Sequence, residues 1–262
     1  MIAAPNLDPS LAEAVTALEA EETPFAFATV VRTAGSTAAK PGTKALLSAE
    51  GEIIGGWLGG GCAKAAVRRA TLEALADGQP KLISIAPEEE LNKGGMEPGQ
   101  ERDGVRYVRN GCPSKGTIDI FIEPCLPAPE LIVYGASPVA RALSTLPQGF
   151  QWDIRVQEAV APLPDSQRRR FILIATQGQG DLNALRSALA TEADYVGFIG
   201  SARKFAALSA KLLEEGVPAD RLEAVRAPAG LPIGAVTPEE IALSALAELT
   251  QVRRDKMRAR DA

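Results

Sequence analysis

The segment Ile53-Ile-Gly-Gly-Trp-Leu-Gly-Gly-Gly-Cys-Ala-Lys-Ala-Ala-Val67 joins a short apolar run to a helical pattern through three glycines and a cysteine. Because glycine has no side chain, Gly59, Gly60 and Gly61 can take positive φ and let a ligand approach the backbone closely. Cys62 then lies at the predicted helix start, where the helix dipole favours a thiolate and free N–H groups attract anions such as phosphate. The segment predicts either an anion site beside a soft sulfur or a tight turn in which Cys62 is a small buried hydrophobe.

The composition excludes several classes of enzyme. The chain has 262 residues, enough for two domains that each bury a core, and its net charge of −5 disfavours nucleic-acid binding. It contains no histidine, so it lacks the usual general base near neutral pH and the commonest ligand of zinc, copper and non-haem iron. Enzymes of the Ser-His-Asp and Cys-His types are therefore excluded. The three cysteines form no Cys-x-x-Cys pair and argue against a disulfide framework.

Neither a membrane span nor a secretory signal is predicted. No apolar run approaches the length of a transmembrane helix, and no basic region followed by an apolar core stands at the start of the chain. We therefore predict a cytoplasmic protein. The basic segment Arg253–Arg260 is interpreted as a local nucleic-acid contact or, more commonly, as a solvated helix end favoured by the dipole.

Residues 1–124 are predicted to form a mixed α+β domain. One helix begins after an Asp8 cap and ends before Pro24, and a second covers residues 63–76 until Asp77-Gly78. Strands are predicted at residues 25–31, 43–47, 52–57, 81–85, 105–108 and 117–122, with a hairpin between the second and the third. Residues 87–104, which include Glu88–Glu90, are predicted to be a solvated acidic loop.

Two loops of this domain are candidate binding elements. The first, Arg32–Gly42, is rich in hydroxyls, glycine and cationic side chains, which suit an oxyanion, and includes Ser36. Taken alone, such a loop is more often an ordinary mobile connection. The second, Asn110–Gly116, carries Cys112 in a glycine-bearing turn and makes it a candidate partner of Cys62 in space. Spacing alone leaves open whether the two thiols meet.

Residues 131–262 are predicted to form a Rossmann-like domain, so the whole chain is assigned to the α/β class. A proline-rich linker at residues 125–130 separates it from the first domain. The strands, at residues 131–134, 153–156, 171–174 and 195–199, alternate with helices, which indicates a parallel sheet covered on both faces. Asp181 is predicted to cap the helix at 182–190. Thr237 and Glu240 are predicted to form a capping box for the helix at 238–250.

Two turns of this domain are candidate phosphate sites. Gly135-x-Ser137-x-x-Ala140 stands where a dinucleotide-binding Gly-x-Gly-x-x-Gly/Ala would, but serine replaces the glycine that admits the pyrophosphate. Glu158 is the nearest acidic candidate for a ribose contact. At Gly200-Ser-Ala-Arg-Lys204 a strand ends in glycine, Ser201 caps a helix, and Arg203 lies in the first turn. The alternative for this second turn is a helix start with surface charge.

The order of these motifs resembles the XdhC/CoxI family, the accessory proteins of molybdenum hydroxylases such as xanthine dehydrogenase and CO dehydrogenase. The Ala-Thr-Gln-Gly and Gly-Cys-Pro-Ser forms are closer to the CO dehydrogenase-accessory branch. The matching segments are Val31-Arg-Thr-Ala-Gly-Ser36, Pro41-Gly42, Gly59-Gly-Gly-Cys62, Gly111-Cys-Pro-Ser114, Phe121-Ile-Glu-Pro124, Gly135, Ala175-Thr-Gln-Gly-Gln-Gly-Asp181, Tyr195-Val-Gly-Phe-Ile-Gly-Ser201 with Arg203-Lys204, and Pro232-Ile-Gly-Ala-Val-Thr-Pro-Glu-Glu-Ile241.

The resemblance implies a maturation factor that binds molybdenum cofactor and delivers it to an apo molybdenum hydroxylase, rather than a catalyst. It also implies a cysteine desulfurase or a cofactor nucleotidyltransferase as further partners. A homodimer is expected because cofactor-transfer sites often lie between subunits. Cys62 would then contact molybdenum or relay sulfur, while the Rossmann-like domain would hold a nucleotide or the dinucleotide form of the cofactor. The candidate cofactor-binding residues are Arg32, Ser36, Gly59, Gly60, Gly61, Cys62, Cys112, Gly135, Ser137, Gly200, Ser201 and Arg203.

The sequence also departs from the family pattern. Ser137 and Pro138 stand where many members carry glycine and histidine, and Ala63-Lys64 replaces a more usual Val-Glu. Two alternatives to a maturation factor also stay open. One is an NAD(P)-dependent oxidoreductase with a degenerate dinucleotide turn, whose proton donor would be a lysine, tyrosine, cysteine or carboxylate. The other is a regulatory partner of a hydroxylase that binds no cofactor.

Overall fold

The computed structural model describes residues 9–59, 63–111, 115–146, 150–158, 160–161, 163 and 168–258, without the side chains of 255–258. Four candidate site residues, Gly60, Gly61, Cys62 and Cys112, lie outside the described residues, as does the predicted Asp8 cap. The chain divides into two compact units, Met1–Pro127 and Ala128–Ala262. They are called the N-terminal unit and the C-terminal unit below.

The N-terminal unit is built on a mixed sheet of seven strands with the order β3-β2-β1-β7-β4-β6-β5. All neighbouring strands are antiparallel except β4 and β6. Its elements are α1 (Pro9–Ala20), β1 (Phe25–Ala34), β2 (Lys44–Leu47), β3 (Ile53–Gly56), α2 (Lys64–Asp77), β4 (Lys81–Ala86), α3 (Glu88–Lys93), β5 (Glu101–Arg102), β6 (Val105–Arg109) and β7 (Thr117–Cys125).

Side-chain alternation decides which helix covers which face of this sheet. Along β7 the alternate residues Ile118, Ile120 and Ile122 are buried, and they belong to the same core cluster as Val67 and Ala74 of α2. α1 contributes to a separate core cluster, in which its Leu11 is buried with Phe25 and Leu46. The predicted hairpin and the two long helices are confirmed.

The prediction of a solvated loop over residues 87–104 is wrong. Glu88–Lys93 form α3, and Glu101–Arg102 form the short edge strand β5. The three glutamates lie in the first turn of α3, where negative charge is favoured by the helix dipole. Leu91 and Met96 are buried in a small cluster that includes Tyr107, so apolar burial holds the segment to the sheet.

The C-terminal unit has a four-stranded sheet with the order β11-β10-β8-β9, and all its strand pairs are parallel. Separate core clusters form from alternate strand residues, such as Leu131 and Ile132, so both sheet faces are covered as predicted. Its elements are β8 (Glu130–Tyr134), α4 (Pro138–Thr145), β9 (Asp153–Gln157), β10 (Arg170–Ile174), α5 (Asp181–Ala190), β11 (Tyr195–Phe198), α6 (Ala202–Glu214), α7 (Ala219–Glu223) and α8 (Pro238–Arg258).

The capping box at the start of α8 is confirmed. The Glu240 amide donates to Thr237 Oγ1 at 3.3 Å, and the Thr237 amide donates to Glu240 Oε2 at 3.0 Å. Ala245 and Leu249 of α8 are fully buried, so one side of this helix belongs to the core. Within the part of the chain that the structure describes, no helix is both long enough and apolar enough to cross a membrane.

Candidate functional site

Three loops of the N-terminal unit meet at one end of its sheet. We call the described parts of these loops, residues 35–43, 57–59, 110–111 and 115–116, the three-loop cluster. Ser36 pairs with Lys115 in an isolated parallel bridge. A Cβ added to Gly116 would lie 2.3 Å from the Ser36 carbonyl oxygen, and one added to Gly59 would lie 3.6 Å from Ala39 Cβ. The loop after β1 therefore touches both of the other loops.

Asn110 holds the third loop in place. Its backbone N–H donates to the Ala86 carbonyl at 2.7 Å, and its Nδ2 donates to the Gly116 carbonyl at 2.6 Å. Lys115 forms an ion pair with Glu89 of α3 at 2.9 Å, and this hydrogen bond lowers the pKa of Glu89. The helix that the sequence reasoning missed thus supplies a carboxylate that pairs with the loop carrying Cys112.

The start of α2 has the electrostatic character that an anion site needs. Its N-cap residue, Ala63, provides no side-chain hydrogen bond, and the first turn carries no acidic residue. The positive end of the dipole is therefore not offset within the helix itself. Gly59, just before the undescribed Gly60–Cys62 segment, has φ +107, a conformation that other residues rarely adopt.

Arg32 and Ser36 lie in different environments, although the sequence placed both in one loop. Arg32 belongs to β1, and its Nε donates to Asp119 Oδ2 at 2.5 Å. This hydrogen bond and the Asp119 charge raise the pKa of Arg32. Ser84 donates to the other Asp119 oxygen at 2.7 Å. Arg32 is thus already paired, whereas Ser36 and Lys40 are exposed in the cluster.

In the C-terminal unit, the turns after β8 and β10 touch each other. A Cβ on Gly135, whose φ is +122, would lie 2.5 Å from the Ala175 carbonyl oxygen. Residues that follow β8 and β10 flank the point where the strand order reverses, which is the usual ligand position in open parallel sheets. Ser137 is buried, and its Oγ accepts the Ala140 N–H at 3.1 Å, so it caps α4. Gln157 Oε1, at the end of β9, is buried without a hydrogen-bond partner among the described residues.

Asp181 does not cap α5 as predicted. The N-cap is Gly180, and Asp181 is the first helical residue. Its carboxylate accepts hydrogen bonds from Thr176 Oγ1 at 2.5 Å and from the Gly178 N–H at 3.3 Å, and it forms an ion pair with Lys204 Nζ at 2.9 Å. Burial acts to raise its pKa, but these bonds and the Lys204 charge lower it overall. The network joins the turn after β10 to α6.

The third turn at this edge follows β11. Ser201 caps α6 by accepting the Lys204 N–H at 3.2 Å, as predicted. A Cβ on Gly200 would lie 2.4 Å from the Phe198 ring, so this glycine lets the chain pass close to a buried aromatic side chain. Arg203 is exposed. This turn is separated from the Gly135 turn by strand β10.

Besides Asn110 and Glu89, sequence reasoning missed three residues that organise the two units. Asp119 and Ser84 fix Arg32, and Glu248 accepts hydrogen bonds from Tyr195 Oη and the Gly230 N–H, both at 2.6 Å. The one local signal for these contacts was Asp119 itself. It is the acidic residue of the strand Thr117–Ile122, in which apolar and polar residues alternate, and a carboxylate on the polar face of a strand predicts a cationic partner.

Comparisons with known proteins agree with the two units. A family model described as the XdhC and CoxI family matches residues 18–86, and a model described as the XdhC Rossmann domain matches residues 131–249. The chain belongs to the XdhC and CoxI family. The predicted family and the predicted Rossmann-like domain are confirmed. The first match contains Ser36 and Gly59, the second contains Gly135 and Arg203, and Cys112 lies in neither.

Two curated relatives show how far the XdhC and CoxI resemblance extends. The uncharacterized protein YqeB of Escherichia coli strain K12 is 30% identical over 260 residues, which cover 90% of this chain and 45% of YqeB. A protein of Bacillus subtilis strain 168, described as a probable xanthine dehydrogenase subunit, is 26% identical over 162 residues, which cover 53% of this chain and 47% of that protein. The chain thus spans about half the length of the curated relatives it matches.

A solved structure also aligns with this member of the XdhC and CoxI family. It is described as a xanthine dehydrogenase from Bacillus halodurans and is 20% identical to the chain. The alignment covers 93% of this chain and 95% of that one, with a TM-score of 0.41.

Proposed function

We propose that this chain is a maturation factor that binds molybdenum cofactor and delivers it to an apo molybdenum hydroxylase of the xanthine or CO dehydrogenase type. Membership of the XdhC and CoxI family supports a role in maturation of such enzymes, as does the Bacillus subtilis relative described as a probable xanthine dehydrogenase subunit. The assignment to the CO dehydrogenase-accessory branch remains part of the proposal.

The observation that carries this proposal is the convergence in the three-loop cluster. The loop containing Ser36 contacts Gly59 on one side and Gly116 on the other. These two glycines lie on the chain next to the Cys62 and Cys112 segments. The glycines that lie near Cys62 and Cys112 in the chain therefore contact the same loop. A single site that uses the sulfur of either cysteine requires such an arrangement.

The residues of this cluster fit the chemistry of the cofactor. Molybdenum cofactor is a pterin that carries a phosphate and a dithiolene, so its holder needs anion donors and a soft ligand. The Ser36 hydroxyl, the Lys40 ammonium and the uncapped N-terminus of α2 would hold the phosphate. Cys62 would approach molybdenum as a thiolate or relay sulfur. When bound, the group supplies the molybdenum centre on which the client hydroxylase depends.

The C-terminal unit would hold a nucleotide at a site of its own. The turns at Gly135 and Gly200 and the exposed Arg203 lie at the carboxyl edge of its sheet, where open parallel sheets bind ligands. The Gln157 amide oxygen at the same edge is an acceptor for a ribose hydroxyl. The Ser137 side chain stands where a Gly-x-Gly-x-x-Gly turn has a glycine that lets the pyrophosphate approach the backbone. We therefore expect weaker pyrophosphate binding at this turn.

Reconstitution of an apo molybdenum hydroxylase with free cofactor tests delivery. We expect the wild-type chain to raise the yield of active hydroxylase and Cys62→Ala to abolish that gain. Cys125→Ala is the matched control, because Cys125 is half-buried on β7, away from the cluster. Equal gains from wild type and Cys62→Ala would instead support a regulatory partner that does not use this thiol.

A further inference from the structure

The basic end of α8 is not explained by the proposed function. α8 begins at Pro238, continues past Arg253, and ends at Arg258. Arg253 donates to the Phe150 and Gln151 carbonyls, both at 3.4 Å, just before β9 begins. It therefore lies at the amino edge of the parallel sheet, opposite the carboxyl-edge turns described above.

Two arginines and two aromatic rings form a stack at this edge. The Arg253 guanidinium carbon lies 4.8 Å from the Trp152 ring centre, and Trp152 meets Phe171 edge to face at 4.9 Å. The Arg169 guanidinium lies 5.3 Å from the Phe171 ring. Such cation–π contacts fix the positions of both guanidinium groups.

The positive charge of this stack is only partly compensated. Arg169 pairs with Asp194 at 2.9 Å, but no described carboxylate forms an ion pair with Arg253 or with the exposed Arg254. Partial burial, together with the nearby charges of Arg254 and Arg169, lowers the pKa of Arg253. An incoming anion would relieve this repulsion, because it would place a negative charge beside cations that the fold already holds together.

An exposed apolar side chain lies next to these cations. Phe150, whose carbonyl accepts a hydrogen bond from Arg253, is 55% exposed. Arginine beside aromatic side chains is the composition typical of protein interfaces. We call Phe150, Trp152, Arg169, Arg253 and Arg254 the α8-end surface.

We propose that the α8-end surface binds an acidic segment of a partner protein, with carboxylates pairing to Arg253 and Arg254 and an apolar side chain packing on Phe150. A nucleic acid fits less well. Asp194 pairs with Arg169 at this surface, and it would repel a phosphate backbone, which carries a negative charge at every nucleotide. Phe171 is fully buried, and the Arg253 guanidinium already covers one face of the Trp152 ring, so base stacking on these rings is disfavoured.

Fluorescence titration with model ligands tests this surface. The chain has two tryptophans, so Trp57→Phe leaves Trp152 as the single reporter beneath Arg253. The titrants are a glutamate-rich peptide with one central phenylalanine, the same peptide with glutamine at every glutamate, and a single-stranded oligonucleotide of equal charge. We expect the glutamate peptide to bind more tightly than the other two ligands. Its binding should weaken as the salt concentration is raised, because salt screens the charges.

Two charge reversals distinguish a local site from a general effect of charge. Arg254 is exposed and Lys211 is an exposed cation on α6, so neither substitution disturbs a core. We expect Arg254→Glu to weaken peptide binding at least about tenfold, or about 1.4 kcal/mol, and Lys211→Glu to change it less than about twofold. Equal binding of the glutamate and glutamine peptides, tighter binding of the oligonucleotide, or equal losses in the two variants would each overturn the proposal.

Discussion

At the scale of single residues, Asp181 makes the stability of the C-terminal unit depend on pH. Burial alone would raise its pKa, but the Thr176 and Lys204 contacts lower it below the ordinary value of 3.8. A carboxylate with a lowered folded pKa stabilises the fold above its unfolded pKa, and this contribution is lost as pH falls through the folded pKa. We therefore expect acid destabilisation to begin near the ordinary pKa of the group and to grow at lower pH.

Thermal unfolding across that acid range checks this expectation. Asp181→Asn should lower the melting temperature at neutral pH and flatten its decline in acid, because the titrating group is gone. Asp220→Asn, which removes an exposed carboxylate on α7, is the control and should leave the slope nearly unchanged. Identical slopes for wild type and Asp181→Asn would show that the network does not contribute to acid stability.

Thr71 is a buried residue of α2 whose hydroxyl has no hydrogen-bond partner among the described atoms. Valine has nearly the same shape and removes the cost of burying an unsatisfied polar group. We expect Thr71→Val to raise the free energy of unfolding by about 1 kcal/mol. Thr71→Ser keeps the hydroxyl and leaves a small void, so it should lower that free energy. Denaturation in urea measures both, and a less stable valine variant would contradict the account.

At the scale of elements, the three-loop cluster depends on close backbone approach at Gly116. A methyl group there would lie 2.3 Å from the Ser36 carbonyl oxygen, so one loop must move away from the other. A methyl group at Gly111, in the same turn, meets no described atom within 4 Å. We expect Gly116→Ala to cost about 1 to 3 kcal/mol of stability and to weaken cofactor binding, and Gly111→Ala to do neither. If Gly116→Ala and Gly111→Ala bind the cofactor equally well, the cofactor site does not depend on the three-loop cluster.

Much of the element order could be predicted from the sequence because local patterns determine it. The alternation in Thr117–Ile122 and the capping box at Thr237 each involve residues a few positions apart. α3 could not be recognised, because its acidic first turn looks like a solvated loop and its stability comes from Leu91 packing near Tyr107. The sequence around Asp181 predicts a helix cap, because an acidic residue stands before a helical pattern. Its ion pair with Lys204 could not be recognised, since the two residues are distant in sequence.

The candidate site was predictable only in outline. Glycines and hydroxyls identified the loops, yet no local pattern shows that the loop of Ser36 touches those of Gly59 and Gly116. The Arg32 pairing with Asp119 spans 87 positions and arises from the register of β1 against β7. Such contacts follow from strand order, which alternation and capping do not determine.

At the scale of the whole molecule, each unit has a core of its own. Ile120 belongs to one cluster in the N-terminal unit, and Leu131 and Ile132 to two others in the C-terminal unit. We therefore expect residues 1–127 and 128–262, expressed separately, each to unfold cooperatively on heating. Calorimetry of the two fragments and of the full chain checks this. A fragment without a cooperative transition would show that its core needs the other unit.

The central claim is that the chain holds molybdenum cofactor beside Cys62. The measurement that tests it most directly is anaerobic equilibrium binding, with bound metal and pterin quantified for wild type, Cys62→Ala and Cys125→Ala. Burial and nearby glutamates raise the pKa of Cys125 to about 11, so its thiol stays protonated at neutral pH and serves as the control. We predict near-stoichiometric metal and pterin on wild type and Cys125→Ala, and their loss from Cys62→Ala. Absence of both from all three proteins would contradict the account.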